Sequence, residues 1–258
     1  MSKDVINPSV DSQVLTETAD TPFSIHFSAA GEPAPEHLLT RFAFDPEGID
    51  ADDPAQVLIP LKRLSETPLV EIWESPTPVN SGNEGTIAWN SNDEVLFMHL
   101  REAQSDDIAS QTELAYARLS ELQKRLGYPC SLRYWNVFAD INKGEADAEL
   151  YKQFCLGRGQ ALKVDDGVEK RLPAASALGG RQPELMICVL ASKQPGKQIE
   201  NPRQVSAYKY PRQYGPRSPS FARATLKNWN NSEQDLFISG TASICLLYTS
   251  DAADDLFR

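Results

Sequence analysis

The run from Asp107 to Pro129 constrains the fold more tightly than any other part of the sequence, because it specifies one helix, both of its ends and the face it must bury. Asp107 is a favoured N-cap type, and Ile108, Ala115, Leu119, Leu122 and Leu126 follow at spacings of seven, four, three and four, which keeps them on one helical face. Gly127 and Pro129 supply the stop. A strand pattern over 133–139 comes next, and 145–155 then places Ala148, Tyr151, Phe154 and Cys155 on one side of a second helix. After a polar stretch, Leu185 to Ala191 is apolar throughout, the signature of a strand covered on both faces. This order predicts an α+β fold in which helices lie on one face of a mixed β-sheet.

Earlier in the chain, short apolar runs at 23–27, 69–73 and 95–100 read as strands of a first region. The acids and prolines between Asp45 and Pro54 predict a solvated loop. Residues 1–20 are polar and without period, so a flexible N-terminal arm is expected there. The expected division is thus 1–20 as the arm, 21–100 as an N-terminal α/β region and 101–237 as a domain carrying a loop at 201–225.

No basic segment precedes an apolar run near the N-terminus, and no run of about 18 apolar residues occurs. A cytoplasmic protein with no membrane partner is expected. Cysteines at 130, 155, 188 and 245 show no CxxC spacing, and His26, His37 and His99 lie far apart, so neither a metal nor a disulfide framework is indicated. Cys155 and Cys188 read as core residues, and Trp73, Trp89, Trp135 and Trp229 as core or rim. No cofactor motif is present, and no carboxylate stands out as catalytic.

A net charge of -11 argues against nucleic acid as a partner. The charge is unevenly spread, however. Residues 201–232 hold no Asp or Glu, where about four would be expected at the average of 36 acids in 258 residues, yet they hold Arg203, Lys209, Arg212, Arg217, Arg223 and Lys227. Tyr208, Tyr210 and Tyr214 are interleaved with these cations, and three prolines between 211 and 219 exclude a central strand or a long helix. Arginine forks and phenol hydroxyls on a proline-stiffened loop suit the capture of a small carboxylate. A basic surface loop with aromatic packing, or a site for a nucleotide or a phosphorylated partner, is equally compatible with these residues alone.

The long run from Asn201 to Thr225, followed by Ile238-Ser-Gly-Thr-Ala-Ser-Ile244, closely resembles the chorismatase family, which includes 3-hydroxybenzoate synthases. Supporting matches are Arg133-Tyr-Trp-Asn-Val-Phe-Ala-Asp-Ile-Asn142, Tyr151-Lys-Gln-Phe-Cys-Leu-Gly-Arg158 and Leu172-Pro-Ala-Ala, so that the resemblance spans roughly 95–244. It implies a RidA/YjgF-like fold and, as small-molecule substrate, chorismate, whose enolpyruvyl ether is cleaved to release pyruvate. It implies further that Tyr208, Tyr210, Tyr214, Arg217 and Arg223 orient the substrate, while Gly240, Thr241, Ala242 and Ser243 bring backbone close to it. The family pattern continues beyond Ile244 into a second RidA-like unit that holds a catalytic glutamate. Here residues 238–244 read as the start of that unit. Cys245 to Arg258 instead resembles the translation of a sequencing adapter, so that 245–258 is expected to be an artefactual tail and the chain an inactive fragment with Ile238–Ile244 unpartnered. The competing readings are a RidA-like imine hydrolase and a non-catalytic anion-binding protein.

Overall fold

A computed structural model describes residues 21–46, 49–50, 52–64, 69–163, 171–230 and 233–240. The first strands are β1 (Ser24–Ala29), β2 (Leu38–Ala43), β3 (Gln56–Leu58) and β4 (Leu69–Glu74), which form a four-stranded sheet in the order β1-β4-β2-β3. Next in the chain come β5 (Asn80–Glu84), β6 (Ile87–Ser91), β7 (Val95–Ala103), α1 (Ile108–Arg125), β8 (Cys130–Ala139), α2 (Leu150–Ala161), β9 (Ala174–Gly180) and β10 (Glu184–Ser192). Their strands make a six-stranded sheet, β5-β6-β7-β10-β8-β9. Finally β11 (Lys197–Ile199), β12 (Ala224–Asn228) and β13 (Gln234–Ile238) form a three-stranded antiparallel sheet.

The six-stranded sheet is the middle layer. Strand β10 sends Leu185, Ile187, Val189 and Ala191 toward α1 and α2, and Met186, Cys188 and Leu190 toward the four-stranded sheet. Alternation of side chains along a strand makes this two-sided burial obligatory, so a continuous apolar run is what the position demands. On the helix side the core takes in Leu119 and Leu122 of α1 and Phe154 of α2; on the other side Phe23, Phe42 and Trp73 pack beside Phe97. The pairing of β8 with β10 shifts between Leu190 and Ala191, and at that bulge the faces swap: Leu132 points to the four-stranded sheet, whereas Tyr134 and Phe138 point to the helices. Strand β8 runs parallel to β9 and antiparallel to β10, so the sheet is mixed and both helices lie on one face, as the sequence predicts.

Helix α1 starts where predicted, with the Asp107 carboxylate accepting a bond of 3.0 Å from the Ser110 backbone N–H. The second helix differs from expectation. Gly144 and Ala146 adopt positive φ angles of 105° and 50°, and Ala146–Ala148 forms a separate 3-10 turn, so α2 begins at Leu150 and continues to Ala161. Left-handed backbone cannot continue a right-handed helix, and Ala148 therefore leaves the predicted face. The expected boundary between 100 and 101 falls inside β7, which pairs with β10 along its whole length from Val95 to Ala103. The sequence shows a strand at 95–100 but not its partner, and that partner binds it to the later part of the chain. Cys155 and Cys188 are buried, as are the Trp73 ring and its neighbours. Among the described residues no helix is long and apolar enough to cross a membrane.

Candidate functional site

Strand β9 is an edge strand, and what covers its outer edge creates the site. The segment leading into β12 docks there: the Ala222 N–H donates to the Pro173 carbonyl at 3.0 Å, and the Ala174 N–H donates to the Thr225 hydroxyl at 2.9 Å. Ser239 completes the seal. Its hydroxyl accepts from the Ala175 N–H at 2.8 Å and donates to the Ala222 carbonyl at 2.5 Å. An exposed edge would otherwise present unpaired N–H and C=O groups. Ile238, expected to lack partners, in fact pairs with Ala224 at the end of β13.

Between this seal, α2 and the 201–225 loop lies a cavity of about 450 Å³. Its wall includes Tyr151 and Arg158 from α2, Ser176 from β9, Tyr210, Tyr214 and Arg223 from the loop, and Gly240. The size falls in the usual range for small-ligand pockets, roughly 300–1,000 Å³. Arg158, only 3% exposed, lies over the rings of Tyr116 and Tyr134 at 5.2 and 5.3 Å. Arg223, 9% exposed, donates to the Val205 carbonyl and to the Tyr210 hydroxyl at 2.9 Å, which fixes the inner side of the loop. Behind the lining, Arg133 stacks on Trp135 at 5.2 Å and donates to the Ser176 hydroxyl at 2.7 Å.

None of the three guanidinium groups forms an ion pair with a carboxylate among the described residues, although the Arg223 backbone N–H donates to Glu200 Oε1 at 3.4 Å. Side-chain N–H groups of all three are buried without any hydrogen-bond acceptor. Buried donors left in this state are costly, and a buried charge without a counter-ion is more so. Burial and the neighbouring Arg158 lower the Arg133 guanidinium to about 10, which still leaves it charged at neutral pH. The lining contributes no Asp or Glu among the described residues.

Two lining groups, Cys155 and Tyr151, are kept protonated. Burial pushes the Cys155 thiol up to about 12, and burial holds the Tyr151 phenol well above its ordinary value. At neutral pH neither is a nucleophile, and both remain neutral donors beside the arginines. A second, wider cleft of about 640 Å³ lies between the sheets, but its Arg101 is already held by both carboxylate oxygens of Glu184 at 2.7 and 2.8 Å.

Of the residues nominated from sequence, the structure brings Tyr210, Tyr214, Arg223 and Gly240 together on the cavity wall. Arg217 instead lies across α2, so close to Gly159 that a Cβ there would stand 2.2 Å from its Nε. Tyr208 lies outside the lining, with Lys209 near its ring at 5.9 Å. Thr241, Ala242 and Ser243 fall outside the described residues, as do 1–20 and 245–258. Gly240 approaches β9 so closely that a Cβ would meet the Ser176 Oγ at 2.6 Å. The sequence reading missed Arg133, Arg158 and Ser176 as site residues. One signal was present: Arg158 follows Tyr151, Phe154 and Cys155 at helical spacing, a lone cation on an otherwise apolar face.

Comparison with known proteins supplies the family. The description "Chorismatase FkbO/Hyg5-like, N-terminal" matches residues 71–191. A chorismatase of Streptomyces hygroscopicus is 39% identical over 179 residues, covering 67% of this chain and 51% of that protein. A 3-hydroxybenzoate synthase of the same organism is 35% identical over 182 residues, covering 69% and 54% respectively. The chain thus spans about half the length of the curated relatives it matches. A chorismatase crystal structure superposes with a TM-score of 0.74 at 33% identity, over 86% of this chain and 70% of that one. Two thirds of the sequence aligned at more than a third identity, and a shared fold over most of its length, make this chain a member of the FkbO/Hyg5-like chorismatase family.

Proposed function

We propose that the protein acts on chorismate, binding it in the cavity between α2, β9 and the 201–225 loop, and that the enzyme cleaves its enolpyruvyl ether, either with net addition of water to give pyruvate and a dihydroxycyclohexadiene carboxylate or without it to give pyruvate and a hydroxybenzoate. The observation that carries this reading is a set of buried arginines, Arg158 and Arg223 on the wall and Arg133 behind it, that keep side-chain N–H groups without acceptors around a cavity whose described lining has no carboxylate. Chorismate brings two carboxylates. Planar guanidinium groups can hold each through paired, charge-assisted bonds, which relieves the donors left unsatisfied in the empty site. The six-stranded sheet with α1 and α2 on one face is, on this proposal, the RidA-like unit of the family.

Hydrolysis requires a proton on the enolpyruvyl methylene carbon. The adjacent ether carbon then carries oxocarbenium character, water adds there, and the resulting hemiketal collapses to pyruvate and the ring alcohol. A general acid must be held protonated close to that carbon. The family resemblance assigns this role to a glutamate that no described lining residue matches, so the residues placed here bind and orient the substrate. Tyr151 and Cys155, held neutral by burial, add donors without adding charge that would repel a dianion.

Titration of the chain with chorismate by calorimetry, together with a coupled assay for pyruvate, tests the proposal. Saturable binding with one site per chain is the expected result, with pyruvate release reporting whether the acid is in place. Absence of any binding at millimolar chorismate would overturn it. Ammonia release from 2-aminoacrylate without chorismate binding would favour imine hydrolysis instead.

A further inference from the structure

Ser176 presents a hydroxyl whose role in hydrogen bonding is fixed by its neighbours. Its oxygen accepts from the Arg133 guanidinium at 2.7 Å and from the Gly240 backbone N–H at 2.8 Å. Both of those groups can only donate, so both lone pairs of the serine oxygen are occupied. The serine proton can therefore only be given away, and no acceptor for it exists among the described residues. Ser176 is 8% exposed, and it forms part of the cavity wall.

We infer that the Ser176 hydroxyl is a dedicated donor to a carboxylate oxygen of the bound ligand, with Arg133 and Gly240 acting as positioning groups that lock its direction. The inference deepens the proposed function and rests on it, since it names the contact through which the cavity reads one end of a dianion. Donation to Ser176 from a cation polarises the O–H and strengthens the bond it can give. A ligand offering a protonated hydroxyl at this point could not replace a carboxylate equally well, because a charged acceptor makes the stronger bond.

The experiment measures dissociation constants for three ligands, chorismate, the dihydroxycyclohexadiene carboxylate that lacks the enolpyruvyl group, and pyruvate, on the full chain and on Ser176→Ala and Ser176→Thr. Loss of one hydrogen bond to a charged group weakens binding by about 10-fold to 150-fold, which is the expected effect of Ser176→Ala on chorismate. That loss should reappear with one of the single-carboxylate ligands and spare the other, and Ser176→Thr, which keeps the hydroxyl, should recover most of it. Thermal melts show whether each variant is folded, and Ser176→Cys, which keeps the size of the side chain but replaces the hydroxyl with a weak donor, carries the test if the alanine variant is not. An equal loss for all three ligands, or a change of less than twofold for chorismate, would overturn the inference while leaving the proposed function standing. Failure of the unaltered chain to bind chorismate would overturn both.

Discussion

At the scale of single residues, Arg158 holds a position that costs stability in the unliganded chain. Its Nε and one terminal nitrogen are buried without acceptors, offset in part by contact with Tyr116 and Tyr134. Unsatisfied donors cost about 1–3 kcal/mol each, and cation–π contacts return about 0.5–2 kcal/mol. Arg158→Met is therefore expected to leave the unliganded chain as stable as before or more so, by up to about 2 kcal/mol in denaturant unfolding, while weakening chorismate binding by about 1.5–3 kcal/mol. A variant both destabilised and still able to bind would contradict that assignment. Arg217, which lies over Gly159 outside the lining, is expected to change chorismate affinity by less than threefold when replaced by alanine.

At the scale of elements, the 201–225 loop is held at both of its sides. Inside, Arg223 grips the Val205 carbonyl and the Tyr210 hydroxyl; outside, Arg212 makes two bonds of 3.0 and 2.6 Å to the Asp147 carboxylate beside the start of α2. Hydrogen bonding from Arg212 holds the Asp147 carboxyl below its ordinary value of 3.8. A carboxylate shifted downward in the folded state contributes stability above its unfolded value, and the contribution disappears as pH falls through the folded value. The outer clasp is thus fully present above the unfolded value and is lost as pH falls through the lowered folded value. Asp147→Asn should speed hydrogen exchange of the Ala207–Tyr214 amides at neutral pH, read by mass spectrometry. Because the pair is solvent-exposed, global stability should hardly move. Unchanged exchange would show that the inner contacts of Arg223 suffice to hold the loop.

At the scale of the whole molecule, the three layers meet at the central sheet, and His99 of β7 marks the junction with the four-stranded sheet. Its Nε2 lies 3.2 Å from the Pro54 carbonyl, which can only accept, so the neutral ring carries its proton there. Burial lowers the His99 imidazole below 6.5. A histidine lowered on folding binds its proton more readily in the unfolded chain, so its contribution is complete above the unfolded value and fades as pH drops below about 6.5 toward the folded one. Unfolding midpoints should therefore fall between pH 7.5 and 5.5, and His99→Gln should flatten that dependence. An identical slope in the variant would locate the pH dependence elsewhere.

Local information in the sequence was enough for the elements whose neighbours matter least. The cap, face and stop of α1 are set by contacts within four residues, and the unbroken apolar run of β10 can only be satisfied between two covering layers. The acid-free stretch likewise pointed to a cation-rich loop, part of which lines a cavity. Its position and composition depended on chain-distant contacts. Of the six cations in that stretch, Arg212 turned outward to Asp147, Lys227 settled over Trp229, Arg217 crossed α2, and Arg223 reached the cavity. The remaining charge comes from Arg158 on α2 and Arg133 on β8, brought together because β8 and β9 run parallel and must be joined by a crossing helix. Spacing along a chain reports what one element can bury; which elements become neighbours follows from how strands pair. That pairing is why the arginines that complete the pocket were invisible until the sheet was assembled.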